Sequence, residues 1–421
     1  MSRPQGLAAY MAVTAAYWAF MLTDGALRML VLLHFHTLGF SPVQLAYLFV
    51  LYEIAGMVTN LSAGWLAARF GLTSTLYAGL GLQVLALLAL AWLDPAWAIA
   101  TSVAYVMVVQ GLSGVAKDLA KMSSKSAVKL LAPSAPGGLF RWVAALTGSK
   151  NAVKGAGFLL GAILLASVGF VASVLAMAAG LALILLATAL GMPSGLPTGR
   201  KGAKFREVFS RDHNVNWLSA ARIFLFGARD VWFVVGIPIY FYAVLSDGTE
   251  AGNRDAFFLI GSFMAVWTIL YGAVQGAAPR ILRAADRTRA EIIALARVWV
   301  LLLAVIPASL GVLVWFTAAP SATLTTAIVA GLLLFGGVFA VNSSLHSYLI
   351  LAFTSSHRVT LDVGFYYMSN AAGRLLGTLL SGVTYQIGGL PLCLGTAAMM
   401  IGLSWMGTRQ LHINTKQDIP S

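Results

Sequence analysis

The segment FMLTDGALRMLVLLHFH, residues 20–36, is apolar enough for a lipid bilayer, yet it carries Asp24 and Arg28 one helical turn apart. Lys150 and Lys154 repeat that spacing, which puts both on one helix face. Arg222 and Arg229 are two turns apart and also align, and Lys117, Lys121 and Lys125 form a stripe. Glu53, Asp230 and Arg374 complete the set, each inside an apolar run. A charged residue at the centre of a membrane helix costs roughly 2.5–3.5 kcal/mol even on the lenient insertion scale. Counted from the helix ends, Asp24, Glu53, Lys150, Lys154, Arg229, Asp230 and Arg374 fall near mid-membrane, with Arg28 about a turn further out. Facing lipid, these groups together would cost on the order of 20 kcal/mol, more than the ~5–15 kcal/mol that holds a domain folded. They must face one another or a cavity.

Two chemistries compete for them. Asp24–Arg28 and Arg229–Asp230 can be internal ion pairs that lock helices together. Lys150, Lys154 and Arg374 have too few acids to pair with, because five central cations face three central acids. That surplus points to an anionic ligand held by Arg28, Lys150, Lys154, Arg229 and Arg374, with Arg222, Lys117 and Lys121 beside them. Arginine suits an oxyanion because its planar fork donates two hydrogen bonds, while lysine adds a point charge. A ligand charged at both ends would use both kinds. Asp24, Glu53 and Asp230 are the candidates for exchanging a proton during transport. His34 and His36 read as packing residues near a helix end, and His346 is a weaker relay candidate.

The elements that must position these groups follow from composition. Of 421 residues, 59% are hydrophobic and 10% charged, against roughly 25% charged in a soluble domain, and the mean hydropathy is +0.85. The apolar runs repeatedly reach about 20 residues, the length that crosses a ~30 Å hydrocarbon core as a helix. Barrel strands would give alternating segments of about ten residues, and the sequence has none. The fold class expected is all-α integral membrane, with about twelve transmembrane helices in two pseudo-symmetric six-helix bundles. The runs lie near 8–36, 42–66, 73–93, 96–117, 139–169, 171–192, 217–245, 256–278, 291–317, 322–353, 361–388 and 390–408. The expected organisation is a bundle over 1–192, a linker over 193–216, a second bundle over 217–410 and a tail over 411–421.

Basic residues alternate between connections. Arg69, Lys121, Lys125, Lys129, the Arg200–Arg211 cluster, Arg280 to Arg289, Arg358, Arg409 and Lys416 occupy every second one. The loops between, near 37–41, 94–96, 318–321 and 389, carry no Lys or Arg, and in 246–255 Arg254 is outnumbered by Asp247, Glu250 and Asp255. The positive-inside rule then puts both termini in the cytoplasm, and the expected location is a bacterial inner membrane. The amphipathic stretch 117–134 is expected to lie along that face, its lysines meeting anionic headgroups or attracting substrate.

The halves look related. LTDGALRMLVLLHF (22–35) lies against GARDVWFVVGIPIYF (227–241), GVAKDLAKMSSKSAVKLLAPS (114–134) against GVFAVNSSLHSYLILAFTSS (337–356), and NAVKGAGFLLG (151–161) against NAAGRLLGTLLSG (370–382). Such duplication is the build of many secondary transporters, which bind substrate near midplane between the repeats. GAVQG (272–276) and GFLLG (157–161) have the small-xxx-small spacing of close helix packing.

Several classes are excluded. The single cysteine, Cys393, lies in an apolar run, and no His/Cys cluster has metal-ligand spacing. No Walker motif, His-Glu-x-x-His, Asp-x-Asp or sizeable soluble loop is present, which argues against an ATP-driven pump and against an enzyme. No cofactor is implied. The net charge of +13 belongs to membrane topology and not to nucleic acid.

The loop after the second run, GWLAARFGL (64–72), resembles the G-x-L-A-D-R-x-G signature of the major facilitator superfamily through Gly64, Leu66, Ala67, Arg69 and Gly71. It departs at Ala68, where the motif has Asp, and at Leu72–Thr73, where a basic pair is usual. The second-half counterpart, GAVQGAAPR (272–280), keeps small residues and Arg280. Basic residues opening the first and seventh helices resemble the sugar-phosphate porters, in which an arginine from each half grips phosphate. Four longer segments, YWAFMLTDGALRMLVLLHFHTLGFSP (17–42), GLSGVAKDLAKMSSKSAVKLL (111–131), RWVAALTGSKNAVKGAGFLLG (141–161) and LSAARIFLFGARDVWFV (218–234), resemble the ArsJ family of organoarsenical efflux permeases. That resemblance implies export of 1-arseno-3-phosphoglycerate and resistance to arsenate. The cargo would be supplied by glyceraldehyde-3-phosphate dehydrogenase using arsenate in place of phosphate, with no physical contact implied, and would fall apart outside the cell. The alternative is an exporter or antiporter of another phosphorylated or organic anion.

Overall fold

In a computed structural model of the chain, residues 3–131, 138–192, 210–283, 287–317, 319–354 and 359–412 are described. Most of the expected linker and tail, 193–209 and 413–421, and the loop with Arg358 lie outside them. So do the side chains of 64–69 in the signature loop and those of Lys125 and Lys129.

Every regular element among the described residues is helical. The first half comprises α1 (Arg3–Thr37), α2 (Pro42–Tyr47), α3 (Val50–Phe70), α4 (Leu72–Ala91), α5 (Ile99–Leu131) and α6 (Gly138–Gly191). The second comprises α7 (His213–Phe233), α8 (Gly236–Leu245), α9 (Glu250–Ile281), α10 (Arg289–Phe316), α11 (Ala322–Phe353) and α12 (Val359–Arg409). These twelve helices are not twelve crossings. Short α2 and α8 are the broken beginning and end of spans they share with α3 and α7, so ten stretches are long and apolar enough to cross a membrane. Two of the ten, in α6 and α12, run to 43 and 48 residues, roughly twice what a bilayer requires. Both are broken in the middle by a glycine of positive φ, Gly169 at 77° and Gly389 at 61°, a conformation that a side chain disfavours. Twelve crossings result if each passes twice. Large apolar side chains such as Trp92, Leu190 and Phe316 are about 80% exposed, the surface expected where hydrocarbon is the solvent.

Backbone polar groups are satisfied where helices start or break. Ser41 with Gln44 and Thr288 with Glu291 form capping boxes. Between α7 and α8, the backbone N–H groups of Val235 and Gly236 both donate to Ser381 Oγ at 3.1 Å, replacing bonds that the interrupted helix cannot make.

Each half is built on one close helix pair. A Cβ on Gly157 or Gly161 of α6 would meet the carbonyl oxygens of Leu22 or Ala26 of α1. A Cβ on Gly373 or Gly377 of α12 would likewise meet those of Ile223 or Gly227 of α7. GFLLG is therefore a packing seam, and the same seam recurs in the second half. The recurrence makes Arg28 and Arg229 equivalent positions. It also moves the Asn151–Asn370 match read from sequence by three residues, close to one helical turn. The second small-residue motif behaves differently: Gly276 meets nothing within 4 Å and, with Gly272, forms cavity wall.

The halves meet where α6 packs on α9 and where α2 and α3 pack on α12. Gly155 and Gly261 allow the first approach, and Gly382 beside Pro42 and Ala46 allows the second. One end of this interface is sealed. There Leu30, Val31, Leu32 and Phe35 of α1 and Phe40 to Phe49 of the next span share a buried cluster with Val234, Val235 and Ile239. The rings of His36 and Tyr242 meet across the halves at 4.8 Å, and His34 stacks on Phe170 at 4.1 Å. The opposite end, with the basic loop after α9, is open.

Candidate functional site

A cavity of about 1110 Å³ lies between the halves and reaches the surface at Arg283 and Arg287 after α9. Its charged lining is lopsided. Arg28, Lys117, Lys121, Lys150, Lys154, Arg222, Arg229, Arg374, Arg280, Arg283 and Arg287 face three acids, Glu53, Asp118 and Asp230. All eight basic residues singled out from sequence therefore lie on one wall system, as do Glu53 and Asp230. Asp24 does not line the cavity; it is buried behind Lys154.

The partners differ from those expected. Asp24 and Arg28 share a helix face but are not paired. Asp24 accepts from Lys154 Nζ at 2.6 Å and from the Tyr52 hydroxyl at 2.5 Å. The Gly25–Gly157 approach between α1 and α6 brings Lys154 within reach. Arg28 donates instead to Glu53 Oε1 at 3.2 Å, and Arg374 reaches the same oxygen from the other half at 2.6 Å. Arg229 and Asp230 do pair, at 2.5 Å, and Arg374 Nε stands 3.7 Å from Asp230. Lys154 and Arg374 thus have carboxylate partners, contrary to the expectation that acids were too few. One carboxylate can serve two guanidinium groups, and Arg374 spans two carboxylates. The expected surplus also omitted Asp118, which accepts from Lys121 at 3.2 Å and from Thr59 at 2.5 Å.

Of the two roles expected for the lysine stripe, headgroup contact is the one that Lys117 and Lys121 depart from. α5 continues as one helix to Leu131, and Lys117 and Lys121 turn into the cavity instead of toward headgroups. Lys121 also donates to Asn60 Oδ1 at 2.5 Å.

Two cations of the wall that are more than nine-tenths buried have no carboxylate within 4 Å among the described residues. Lys117, only 8% exposed, lies over the Tyr52 ring at 4.0 Å. Arg222, 3% exposed, donates Nε to Asn370 Oδ1 and Nη1 to the Ser343 carbonyl, at 3.3 and 3.2 Å. Its guanidinium stacks between Phe226 and Tyr366, at 3.9 and 4.9 Å. Phe226 also lies 5.1 Å from Arg229, so the two-turn spacing of these arginines brackets one aromatic ring.

Neutral polar groups complete the wall. Tyr271 and Gln275 both bond Ser343 Oγ at 3.3 Å, and Asn151 donates to Gln275 at 3.1 Å. Sequence reasoning passed over these residues with Tyr52, Asn60 and Asn370. The signal available was modest: amides and tyrosines inside apolar helices, at positions that recur on the faces carrying charges. His346 is fully buried with neither ring nitrogen hydrogen-bonded and does not line the cavity. Among the described residues no cluster of His, Cys, Asp and Glu could hold a metal. The arrangement offers many fixed N–H donors and net positive charge, which suits a small anion.

Solved membrane transporters share this architecture. A POT family transporter, solved in complex with a thioalcohol-conjugated peptide, aligns with a TM-score of 0.73 over 94% of this chain and 94% of its own, at 12% identity. A mutant of the nucleoside transporter NupG aligns at 0.70 over 95% and 98%, with 15% identity. No protein-family model and no curated protein matches the chain. At these identities the likeness is one of fold: the chain is an all-α, multi-pass membrane protein with the major facilitator fold.

Proposed function

We propose that the chain is a secondary efflux transporter that carries an organoarsenical anion, 1-arseno-3-phosphoglycerate, out of the cytoplasm by alternating access, and so confers resistance to arsenate. The observation that carries this reading is the cavity wall, where eleven basic side chains face three acids. The volume of about 1110 Å³ is slightly above the usual span of small-molecule sites, roughly 300–1,000 Å³. The resemblance of the segments around Asp24, Lys117, Lys154 and Arg229 to the ArsJ family supplies the cargo. The basic loops favour a cytoplasmic open end, where an exporter would load, with both termini on that side of a bacterial inner membrane. Glyceraldehyde-3-phosphate dehydrogenase would supply the substrate without touching the transporter. Glu53, Asp230 and Asp24 each hold a cation, so a proton taken up by any of them would free that cation and alter its grip.

A second reading, export or exchange of another phosphorylated or organic anion, is favoured by the donors themselves. Ammonium, guanidinium and hydroxyl groups grip phosphate and arsenate alike, because both are tetrahedral oxyanions. The test is arsenate sensitivity in cells carrying this gene, with and without a functional dehydrogenase. Resistance that requires both genes supports the arsenical cargo. Resistance that ignores the dehydrogenase, or none at all, counts against it.

A further inference from the structure

Resting on that anion-export reading, we propose that the two ends of the cargo are anchored by different halves: a tetrahedral oxyanion on Arg222 of α7 and the second anionic group on Lys117 of α5. Of the other six cations singled out from sequence, Arg28, Lys121, Lys154, Arg229 and Arg374 already hold carboxylates within 4 Å, and Lys150 is only half-buried. A ligand would have to break those contacts to use them. Lys117 and Arg222 are more than nine-tenths buried, line the cavity and have no carboxylate at that distance among the described residues. A buried cation so placed makes no direct carboxylate contact, and an anion in the cavity supplies one.

The local geometry fits a short ligand. Asn370 of α12 takes the Nε hydrogen of Arg222. The next residue, Ala371, packs toward Gly56, beside which lie Lys117 Nζ and Asp118 Oδ2; a Cβ on Gly56 would stand 3.7 Å from Ala371 Cβ, 3.8 Å from that nitrogen and 3.6 Å from that oxygen. Both cations therefore lie close to one stretch of α12. Asn370 and the Ser343 carbonyl occupy Nε and Nη1 of Arg222, leaving Nη2 for an oxyanion, while the Lys117 ammonium rests on a ring face and presents a point charge. The substrate class that follows is a short-chain organic dianion with its charges at opposite ends. Such a ligand touches both halves at once, whereas a singly anionic compound engages only one.

The test measures binding of three stable probes to the purified full-length protein: 3-phosphoglycerate with two anionic ends, glycerol 3-phosphate with the phosphate alone, and glycerate with the carboxylate alone. Wild type is expected to bind 3-phosphoglycerate at least tenfold tighter than either one-ended probe. In Lys117→Gln the affinity ratio of 3-phosphoglycerate to glycerol 3-phosphate falls about tenfold. In Arg222→Gln it is the ratio to glycerate that falls. Should Arg222→Gln fail to fold, Arg222→Lys retains charge and bulk, loses the fork, and is expected to lower the same ratio at least threefold. Equal losses for all probes in both variants, or ratios that do not move, overturn the two-ended anchoring while leaving anion export standing. Failure of wild type to bind either phosphorylated probe overturns both.

Discussion

Replacing Glu53 by Gln removes the carboxylate that Arg374 reaches from the opposite half at 2.6 Å while keeping the side chain's volume. This contact lies at the base of the cavity, near the sealed end: Glu53 follows the α2–α3 break, and the guanidinium of its second partner, Arg28, lies over Phe49 of the apolar seal. A hydrogen bond to a charged group contributes about 1.5–3 kcal/mol. Arg374 stands 3.7 Å from Asp230 of its own half and can settle there, which recovers part of the loss. The lower figure, about 1.5 kcal/mol, therefore applies, and it corresponds to roughly a tenfold shift in the equilibrium toward opening of the sealed end. Spin labels at Leu38→Cys and Ala251→Cys, both exposed at that end on different halves, would report the change by pulsed dipolar spectroscopy. The sole native cysteine, Cys393, is buried and contributes little background. The account predicts that Glu53→Gln and Arg374→Gln both populate longer distances. A distribution unchanged from wild type in both variants would refute the idea that this pair ties the halves together.

Further outcomes follow from packing and charge. Gly157→Val would push α1 from α6, since even a Cβ there meets the Leu22 carbonyl oxygen; overpacking of this kind costs about 1–3 kcal/mol or more. It should lower monodisperse yield on fluorescence-detected size exclusion, with Gly180→Ala, at a position open to 4 Å, as the unaffected control. Arg297 donates to the carbonyls of Thr408, Arg409 and Leu411 at the end of α12. Arg297→Met should speed hydrogen exchange over residues 405–411 at least tenfold and leave α1 unchanged. Arg280, Arg283 and Arg287 at the cavity mouth should steer anions. Their joint replacement by Gln is expected to slow uptake most at low ionic strength and to flatten its salt dependence.

Much of the fold was legible in the sequence because burial in lipid imposes a simple rule: an apolar run must be long, and its connections carry the charge. The runs near 322–353 and 291–317 coincide with α11 and α10 almost to the residue. The breaks were harder to read. Nothing in the apolar run 42–66 marks the interruption at Leu48–Phe49, which depends on how α2 packs under Gly382. The gathering of charged residues on one cavity was legible from their insertion cost, whereas their pairing was not. Asp24 and Arg28 share a face, yet each turns to a different neighbour because the Gly25–Gly157 seam sets how close α6 comes. Asp118 was missed because its sequence neighbours, Lys117 and Lys121, drew attention to positive charge alone. Pair identities depend on interhelical distance, and no spacing along one helix encodes that.

The proposed cargo is an organoarsenical charged at both ends, carried outward through this cavity. Everted membrane vesicles containing the full chain, incubated with glyceraldehyde 3-phosphate, NAD, arsenate and the dehydrogenase, test it directly. The account predicts accumulation of arsenic inside the vesicles that requires the dehydrogenase and is lost in Lys117→Gln and Arg222→Gln. Equal accumulation from arsenate alone, or none above vesicles lacking the protein, would contradict it.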